Sequence, residues 1–506
     1  MEYFLGIDVG TYETKGMLVD ENGRIVITDS EPHRMEIPQP GFAEHDAEGV
    51  WWHDFCAVSK RLLQNSGVDP EQVRAVGASA IAPCCLPVDE ECRPLRKGIL
   101  YGVDVRAGEQ IEYLKKEMGE EEILERCGNP VTSQSAAPKI LWIRENEPEI
   151  YKRASKFITS TTYIVAKLTG NYRIDHYTAA SFVPLYHLEK QDWDEDNLGL
   201  FCRRDQLADI LWTDEIAGVV TEQAAMETGL SPGTPVITGT ADAAADAVGA
   251  GVFHPGDVMV MFGSSVFMIH VVPKLTTDPR YWAGPYLFRD TYVVTSGMST
   301  AGMLTRWFRD ELAKELLEQE KNGGPNAYDA LMEQMNGIGP GSDGLIVLPY
   351  FSGERTPIND PKARGLFMGL TLKHTRGHLY QACLEGVAYG IGQHFRGYHE
   401  IGMETKRLIA VGGGTKTPKW MQIVSDVTGK PMYLGSVFGA SYGDALMAAK
   451  AVGHIQNEKE LETYITYRGE ITPDAQRHEQ YQPYLDTYIR LYDDTKAVMH
   501  ELPFRN

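Results

Sequence analysis

The chain has 506 residues, of which 43% are hydrophobic, and it carries a formal net charge of −22 at pH 7. This length exceeds what one hydrophobic core supports, so we expect at least two domains of ordinary α/β composition. The negative charge argues against a nucleic-acid partner, and the lack of a long apolar run argues against a membrane-spanning helix.

The N-terminal segment and the cysteines favour a cytoplasmic protein. The N-terminus has no basic region and Asp8 interrupts its apolar run, so it does not read as a secretory signal peptide. The seven cysteines are scattered, apart from Cys84 and Cys85 with Cys92 nearby. Their spacing is not that of a zinc site, which we keep only as the minor alternative to reduced thiols.

The first part of the chain predicts three strands, a helix and a fourth strand. A buried strand beginning at Phe4 turns back into a second strand that ends at Asp20, and a third strand follows at 24–28. A strand at 73–79 completes the order β-β-β-α-β. The helix between them spans 48–66, and its apolar face is formed by Trp51, Phe55, Val58 and Leu62.

The turn between the first two strands has the residues of a phosphate-binding hairpin. Gly10 allows close approach of a phosphate, and the Thr11 hydroxyl can donate a hydrogen bond to it. Asp8, at the end of an apolar strand, is suited to hold a hydrated Mg²⁺. Lys15 on the second strand is a further candidate for cofactor binding. By themselves these residues also fit an ordinary glycine turn, and no P-loop pattern is present.

A similar order of elements returns in the second half of the chain. Two such units, about 250 residues apart, indicate an architectural duplication. We therefore predict domains at 1–248 and 249–455, followed by a helical tail at 456–506. The predicted elements are strands at 256–262, 266–272 and 291–295, a helix from Thr300 to about Glu320, a next strand at 344–348, a helix from His378 to about Glu400, a strand at 407–411, and helices at 420–428 and 442–452.

Each half carries one glycine-containing turn between two predicted strands. In the second half this turn is Gly263-Ser264-Ser265. If the two turns face one another across a cleft, they can hold a triphosphate from both sides. The segment 412–415 lies between a strand and a helix, which is the context of a nucleotide-binding turn.

Five motifs occur in order along the chain. They are Gly6-Ile-Asp-Val-Gly-Thr11, Gly239-Thr-Ala-Asp242, Pro349-Tyr-Phe-Ser-Gly-Glu-Arg-Thr-Pro357, the run from Arg364 to Tyr389, and Val411-Gly-Gly-Gly-Thr-Lys-Thr-Pro-Lys-Trp420. Together they resemble the motifs of the FGGY carbohydrate kinases, and the resemblance covers roughly residues 3 to 453. It implies two actin-like, ribonuclease-H-like ATPase domains with a central interdomain cleft. It also implies transfer of the γ-phosphoryl group of ATP, with Mg²⁺, to a hydroxyl group of a sugar or polyol.

The resemblance assigns roles to individual residues. Asp242 is the expected general base and, with Asp8, a metal ligand; the alternative is an Asp that caps the following helix. Asp246, where the sugar kinases usually carry Gly, is more readily a structural residue. The expected phosphate-binding residues are Gly263, Ser264 and Ser265, and the expected adenosine-binding residues are Gly413, Gly414 and Thr415.

The predicted sugar-binding residues depart from those of xylulokinases. Ala82 and Pro83 stand where xylulokinases carry Met-His, so a hydrogen-bonding residue for the sugar is lost. This loss argues against D-xylulose as the substrate, more than against the reaction. Asp104 and Arg106 can both bind vicinal hydroxyls, and the alternative for them is a surface ion pair. A second substrate-side segment is expected at Tyr177, Thr178 and Ser181.

We therefore predict an ATP-dependent sugar kinase that acts on a ketose such as xylulose or a related pentulose. The alternatives are a kinase for ribulose, gluconate, glycerol or another acceptor, an actin-like ATPase with a conformational output, and a catalytically silent sugar sensor. Dimers are common in the family, so a homodimer is a possible assembly. The segment Glu354-Arg355-Thr356, with Asp360 and Arg364, is expected to form a buried structural ion-pair network.

Overall fold

A computed structural model describes residues 1–435 and 439–503 of the chain. The chain divides into two compact units. The first comprises Met1–Pro255, Val271–Val294 and Val437–Thr466, and the second comprises Gly256–His270, Thr295–Ser436 and Tyr467–Asn506. Among the described residues, no helix combines the length and the apolar character needed to cross a bilayer.

The strands are numbered in chain order. They are β1 (Tyr3–Val9), β2 (Glu13–Asp20), β3 (Ile25–Pro32), β4 (Glu44–His45), β5 (Val73–Ala80), β6 (Leu86–Val88), β7 (Gly98–Ile99), β8 (Lys156–Ile158), β9 (Arg173–Asp175), β10 (Tyr186–His187), β11 (Asp192–Trp193), β12 (Asp209–Leu211), β13 (Ile216–Val219), β14 (Pro235–Ile237), β15 (Thr240–Ala241), β16 (Asp257–Phe262), β17 (Val266–Val272), β18 (Trp282–Pro285), β19 (Tyr292–Met298), β20 (Ile346–Leu348), β21 (Leu366–Met368), β22 (Arg407–Val411), β23 (Met432–Gly435) and β24 (Tyr467–Ile471).

The α-helices are numbered in the same way. They are α1 (His53–Ser66), α2 (Gly108–Met118), α3 (Glu120–Cys127), α4 (Ala137–Asn146), α5 (Pro148–Arg153), α6 (Ser160–Thr169), α7 (His176–Ala179), α8 (Glu195–Phe201), α9 (Glu222–Thr228), α10 (Asp242–Gly249), α11 (Gly302–Leu312), α12 (Lys314–Lys321), α13 (Ala327–Gln334), α14 (Arg376–Glu400), α15 (Pro418–Thr428), α16 (Ala440–Ala451), α17 (Glu458–Glu462) and α18 (Ala475–Glu501).

The sheet of the first unit confirms the predicted β-β-β-α-β order. Its strands lie in the order β13-β14-β5-β1-β2-β3, and β15 pairs with β5 outside this path. Strands β1, β2 and β3 are antiparallel neighbours, whereas β5 runs parallel to β1. Asp8 lies opposite Lys15 on one side and Ser79 on the other. The register therefore places three polar side chains in one row across the sheet.

Helix α1 covers one face of this sheet, as its apolar stripe predicts. A π-helical turn at Ala47–Trp52 precedes it, and Asp46 caps this turn by accepting from the Glu48 and Gly49 amides. The helix ends at Gly67, which has a φ of 69°. The predicted face is buried, and it consists of Trp51, Phe55, Val58 and Leu62.

The backbone of helix α16 packs directly against the backbones of β1, β5 and α10 in the first unit. A Cβ atom on Gly6 would lie 1.9 Å from the Ser441 carbonyl oxygen, and one on Gly77 would lie 2.2 Å from the Asp444 carbonyl oxygen. Here glycine is required by close approach of the backbone, not by an unusual φ. The same is true on the helix itself, because a Cβ on Gly443 would lie 2.0 Å from the Ala245 carbonyl oxygen of α10.

The second seven-stranded sheet includes β19-β17-β16-β22-β23-β24 in that order. One prediction is wrong here: the apolar run at 344–348 is not the next strand of this sheet. It forms β20, which pairs with β21, while the parallel partner of β16 is β22. A short apolar run identifies a buried strand but does not identify its neighbour. The helix predicted from Thr300 to about Glu320 is two helices, α11 and α12, because Ala313 has non-helical dihedral angles of −141° and 36°.

The last part of the chain is not an appended helical tail. Strand β24, which was not predicted, pairs antiparallel with β23. Helix α18 was expected from composition, and it packs into the core of the second unit through Tyr481, Leu485, Tyr488 and Leu491. The sequence did not indicate this buried face, because the segment is polar and acidic overall and much of the face consists of tyrosine.

Candidate active site

Asp242 lies at the junction of β15 and α10 and is half-buried. Its Oδ1 atom accepts a hydrogen bond of 2.8 Å from the amide of Ala243. Burial raises the pKa of Asp242 to about 6, and the Ala243 amide opposes this shift. A carboxylate with a pKa near neutrality is suited to accept a proton as a general base. The helix-capping alternative is wrong, because α10 begins at Asp242 itself and the N-cap residue is Ala241.

Three further carboxyl groups of the first unit interact electrostatically with Asp242, namely those of Asp8, Asp246 and Asp444. Burial raises the pKa of Asp8 well above its usual range, and the charges of Asp242, Asp246 and Asp444 add to this effect, while Lys15 opposes it. Burial and the charge of Asp242 also raise the pKa of Asp246 to about 7, while Lys15 and the Gly439 amide lower it. Asp246 therefore belongs to an acidic cluster around the candidate base.

Ser79 and Asp444 are members of this cluster that the motifs did not single out. The Ser79 hydroxyl donates to Asp444 Oδ2 at 2.7 Å and lies 3.3 Å from Asp8 Oδ1. Asp444 Oδ1 is buried and has no hydrogen-bond partner among the described residues. The sequence signal for Asp444 is a single acidic residue in a helix of mostly small residues. The signal for Ser79 is a polar residue at the end of a buried strand.

The carboxyl groups fit Mg²⁺ by their chemistry. Mg²⁺ prefers hard oxygen ligands and usually keeps several waters, with one or two carboxylates and substrate phosphates as its other ligands. The unpartnered Asp444 oxygen and the concentration of acidic groups suit a divalent cation nearby. Within residues 1–435 and 439–503, no three His, Cys, Asp or Glu side chains converge to hold a metal directly. The donor set therefore fits a hydrated ion held by one or two of these carboxylates.

The predicted phosphate hairpin of the first unit has the expected tight turn. The Gly10 amide donates to the Glu13 carbonyl at 3.0 Å, and a Cβ on Gly10 would lie 2.9 Å from that oxygen. Thr11 Oγ1 lies 3.2 Å from the hydroxyl of Tyr101. Lys15 is about half exposed, with its Nζ atom 3.5 Å from Glu13 Oε2. Lys15 thus lies at the accessible end of the polar row.

Asp104 and Arg106 form a buried ion pair, so the alternative of a surface pair is wrong. Arg106 Nη2 donates to Asp104 Oδ2 at 2.7 Å, and its Nη1 atom lies 2.8 Å from Glu44 Oε1. The two side chains are 0% and 1% exposed, and the guanidinium lies 4.0 Å from the ring centre of Phe42. Asp104 also accepts from the amide of Ala43. Direct sugar binding by this pair therefore requires exchange of existing hydrogen bonds.

Two tyrosines lie within electrostatic reach of Asp242 in the first unit. Burial raises the pKa of Tyr101, and the charge of Asp242 contributes. The pKa of Tyr177 is raised in the same way, with Asp175 and Asp242 as the contributing charges. Ala82 and Pro83, in the predicted sugar loop, are half-buried. Tyr101 was missed as a candidate, although it stands within the segment predicted to reach the sugar.

The other two residues of the second predicted substrate segment make local contacts. The Thr178 amide donates to Asp175 Oδ1 at 3.2 Å. The Ser181 hydroxyl donates to the Thr178 carbonyl at 2.6 Å. The charge of Asp242 thus reaches Tyr177, whereas the Thr178 and Ser181 contacts stabilise the turn after α7.

In the second unit, the turn Gly263-Ser264-Ser265 joins β16 to β17. The Gly263 amide donates to the Ser265 carbonyl at 2.9 Å, and Gly263 and Ser264 are exposed. The Ser264 carbonyl accepts from the Ala301 and Met303 amides at the start of α11. The turn is thereby fixed to the N-terminus of α11, whose first amides are occupied by the carbonyl groups of Gly263 and Ser264.

The predicted adenosine-binding turn lies between β22 and α15, as expected. Residues Gly413–Lys416 form a 3₁₀-helix. A Cβ on Gly413 would meet no atom within 4 Å, whereas one on Gly414 would lie 2.7 Å from Phe262 Cβ. The Thr415 hydroxyl donates to the Gly412 carbonyl at 2.8 Å and accepts from Arg468. Gly413 therefore presents an open surface, while its neighbours are packed against the fold.

Glu354 and Thr356 are buried, as expected, but their hydrogen bonds go mainly to main-chain groups rather than to the predicted ion-pair partners. Asp360 pairs instead with His500, and Arg364 donates to the Pro361 and Ala363 carbonyls. Glu354 Oε1 accepts from the amides of Ser299 and Arg355 at 2.6 and 2.8 Å. Thr356 Oγ1 accepts from the Gly297 amide at 2.7 Å. Burial raises the pKa of Glu354 to about 7. The segment anchors β19 and the loop that follows it, within the second unit.

Comparison with known proteins agrees with the predicted fold and family. The model of the FGGY carbohydrate kinase N-terminal domain matches residues 3–249, and that of the C-terminal domain matches residues 258–452. Gluconokinase of Bacillus subtilis is 30% identical over 97% of this chain and 95% of its own length. Xylulose kinase of Escherichia coli is 28% identical over 98% of this chain and 100% of its own length.

Among solved structures, the xylulose kinase from Rhodospirillum rubrum is similar with a TM-score of 0.92 and 31% identity. The similarity covers 99% of this chain and 100% of that one. These matches confirm the predicted two-domain, actin-like fold and the predicted reaction class, which is phosphoryl transfer from ATP to a carbohydrate. The chain belongs to the FGGY family of carbohydrate kinases.

Proposed function

We propose that this protein transfers the γ-phosphoryl group of Mg·ATP to a hydroxyl group of a ketose such as xylulose or a related pentulose. Asp242 is the general base of this reaction. The observation that carries the assignment is the half-buried position of its carboxylate at the junction of β15 and α10, where burial also raises its pKa to about 6. Both family models match, so an ATPase with a purely conformational output is not retained.

A neutral sugar suits the first unit better than an aldonate. The names of the relatives do not decide, because gluconokinases and xylulose kinases match at similar identity. An aldonate carboxylate calls for a cation close to the substrate. Arg106 is engaged by Asp104 and Glu44, and Lys139 donates to the Ser133 and Ser135 carbonyls. These engaged cations and the neutral phenols near Asp242 favour an uncharged polyhydroxyl acceptor.

The chain's own groups perform the remaining steps. Asp242 accepts the proton of the attacking hydroxyl group as the oxygen–phosphorus bond forms, and the bond to ADP breaks. Asp8 would hold the metal, with Asp242 as the second candidate ligand, and a bound Mg²⁺ supplies positive charge to the phosphate oxygens. Tyr101 and Thr11 form a hydroxyl pair that can orient the sugar or the phosphate.

Each unit has its own candidate turn for binding the nucleotide. In the second unit the Gly263 amide and the Ser264 carbonyl are engaged in the turn that Ser265 closes, so the exposed Ser264 hydroxyl is the candidate donor to a phosphate. In the first unit Gly10 shapes the turn, and the Thr11 hydroxyl and the Lys15 ammonium group are the candidate donors. The open surface at Gly413 suits the adenosine, with Gly414 and Thr415 fixing the shape of that turn.

The test is ADP release with Mg·ATP over a panel of ketoses, aldoses, sugar acids and polyols. One pentulose should stimulate release strongly in the wild type and far less in Asp242→Asn, and gluconate should not stimulate it. Stimulation by gluconate alone would overturn the substrate class. Equal release by the wild type and Asp242→Asn with the active sugar would overturn the assignment of the base.

A further inference from the structure

A hydrogen-bonded chain connects the metal-side carboxylate Asp8 to helix α16 within the first unit. Ser79 is paired with Asp8 in the parallel register of β5 and β1, so their side chains project from the same face. The single hydrogen of the Ser79 hydroxyl is shared by Asp444 Oδ2, at 2.7 Å, and Asp8 Oδ1, at 3.3 Å. Ser79 and Asp444 are 365 positions apart in the chain, and both are fully buried.

The position of Asp444 is fixed by the backbone around it. Its own carbonyl oxygen occupies the space that a side chain at residue 77 would need, and the residue before it, Gly443, meets the α10 backbone. A shift of helix α16 towards β5 would therefore cause backbone clashes, and a shift away from β5 would lose these contacts. The Asp444 carboxyl group is presented to Ser79 at a defined place.

Packing alone does not explain a carboxyl group at this position. The surrounding residues of α16 are small, and they include Ala440, Ala445, Ala448 and Ala449. Asp444 Oδ1 has no hydrogen-bond partner among the described residues, and the charges of Asp246 and Asp242 add to burial in raising its pKa. A buried polar atom without a partner destabilises the fold, and alanine would avoid that cost. The carboxyl group is thus retained at the expense of stability, as at many functional sites.

We propose that Ser79 and Asp444 are positioning residues that hold Asp8 in the orientation needed to bind the metal of Mg·ATP. The inference rests on the assignment of Asp8 to Mg²⁺ in the proposed function. Asp444 fixes the rotamer of Ser79, and Ser79 in turn fixes one oxygen of Asp8, which leaves the other oxygen for the ion. Partners of this kind orient metal-binding carboxylates and strengthen metal affinity.

The test is the affinity for ADP, measured by titration calorimetry with Mg²⁺ and with EDTA. Asp444→Ala and Ser79→Ala should weaken ADP binding about tenfold or more in Mg²⁺, and leave it unchanged in EDTA. Asp444→Asn keeps an acceptor for Ser79 and the size of the side chain, so it should restore most of the affinity. The apparent KM for the sugar should not change.

The matched control is Ser59→Ala in α1, which removes another buried hydroxyl of the first unit. It should leave ADP affinity unchanged under both conditions. Equal weakening in Mg²⁺ and in EDTA would make Ser79 and Asp444 structural residues and overturn the inference. If Asp8→Ala weakens only the Mg²⁺-dependent binding while both other variants bind normally, the inference fails and the metal assignment stands. If Asp8→Ala also binds normally, the metal assignment fails with it.

Discussion

Replacing Asp242 with asparagine should raise the free energy of unfolding and at the same time lower turnover. Burial raises the pKa of Asp242 from its ordinary value of 3.8 to about 6. Above both values, the ionised side chain is therefore disfavoured in the folded state by about 2 pKa units, which corresponds to about 3 kcal/mol. Because asparagine carries no charge, Asp242→Asn should raise the free energy of unfolding by up to about 3 kcal/mol near neutral pH.

The gain in stability should depend on pH in a defined direction. Between the two pKa values the folded protein keeps the proton and the unfolded chain loses it, so wild-type stability falls as pH rises from about 4 through about 6. The advantage of Asp242→Asn should be roughly half as large near pH 5 and should vanish below about pH 4. Turnover should fall on the order of 10²-fold or more, because the amide cannot accept the proton. Wild-type kcat/KM should decline below about pH 6 as Asp242 becomes protonated.

The assay is urea unfolding of wild type and variant at about pH 5 and about pH 7.5, with turnover measured on the same preparations. The matched control is Asp196→Asn in the first turn of α8, where the side chain is 74% exposed. This control should show no such pH-dependent gain. Equal unfolding free energies for wild type and Asp242→Asn at both pH values would refute the stability argument, and near-wild-type turnover would refute the catalytic one.

Three further predictions concern the surroundings of the sites. Gly77→Ala should destabilise the first unit by about 1–3 kcal/mol or more, because its Cβ would lie 2.2 Å from a helix carbonyl oxygen, whereas Gly199→Ala meets no atom and should leave the melting temperature nearly unchanged. Arg106→Ala should cost about 3–5 kcal/mol in urea unfolding, because it leaves buried carboxylates unpaired, whereas Arg93→Ala at an exposed pair should leave the unfolding midpoint nearly unchanged. Gly413→Ala should leave the melting temperature unchanged, because the new Cβ meets no atom of the fold, but it should raise the apparent KM for ATP, because it fills surface assigned to the adenosine. An unchanged KM would show that this turn does not bind the nucleotide.

Local patterns in the sequence were sufficient for the elements that carry the predicted chemistry. The apolar runs around Asp8 predicted the hairpin β1–β2, and helical spacing predicted the buried face of α1. The motif order predicted the family and the two-domain fold, which the family models confirm. These features depend on residues close together in the chain, where side-chain periodicity and turn residues determine the local structure.

Tertiary structure decided which distant groups meet. Strand β22, not the apolar run at 344–348, pairs with β16, because strand pairing depends on the whole sheet. Asp104 and Arg106 are buried because aromatic rings and Glu44 enclose them, which their spacing did not reveal. Ser79 meets Asp444 across 365 positions only because glycines let α16 approach the sheet. Contacts of this kind arise from packing between elements, so they cannot be predicted from the residues that flank each partner in the chain.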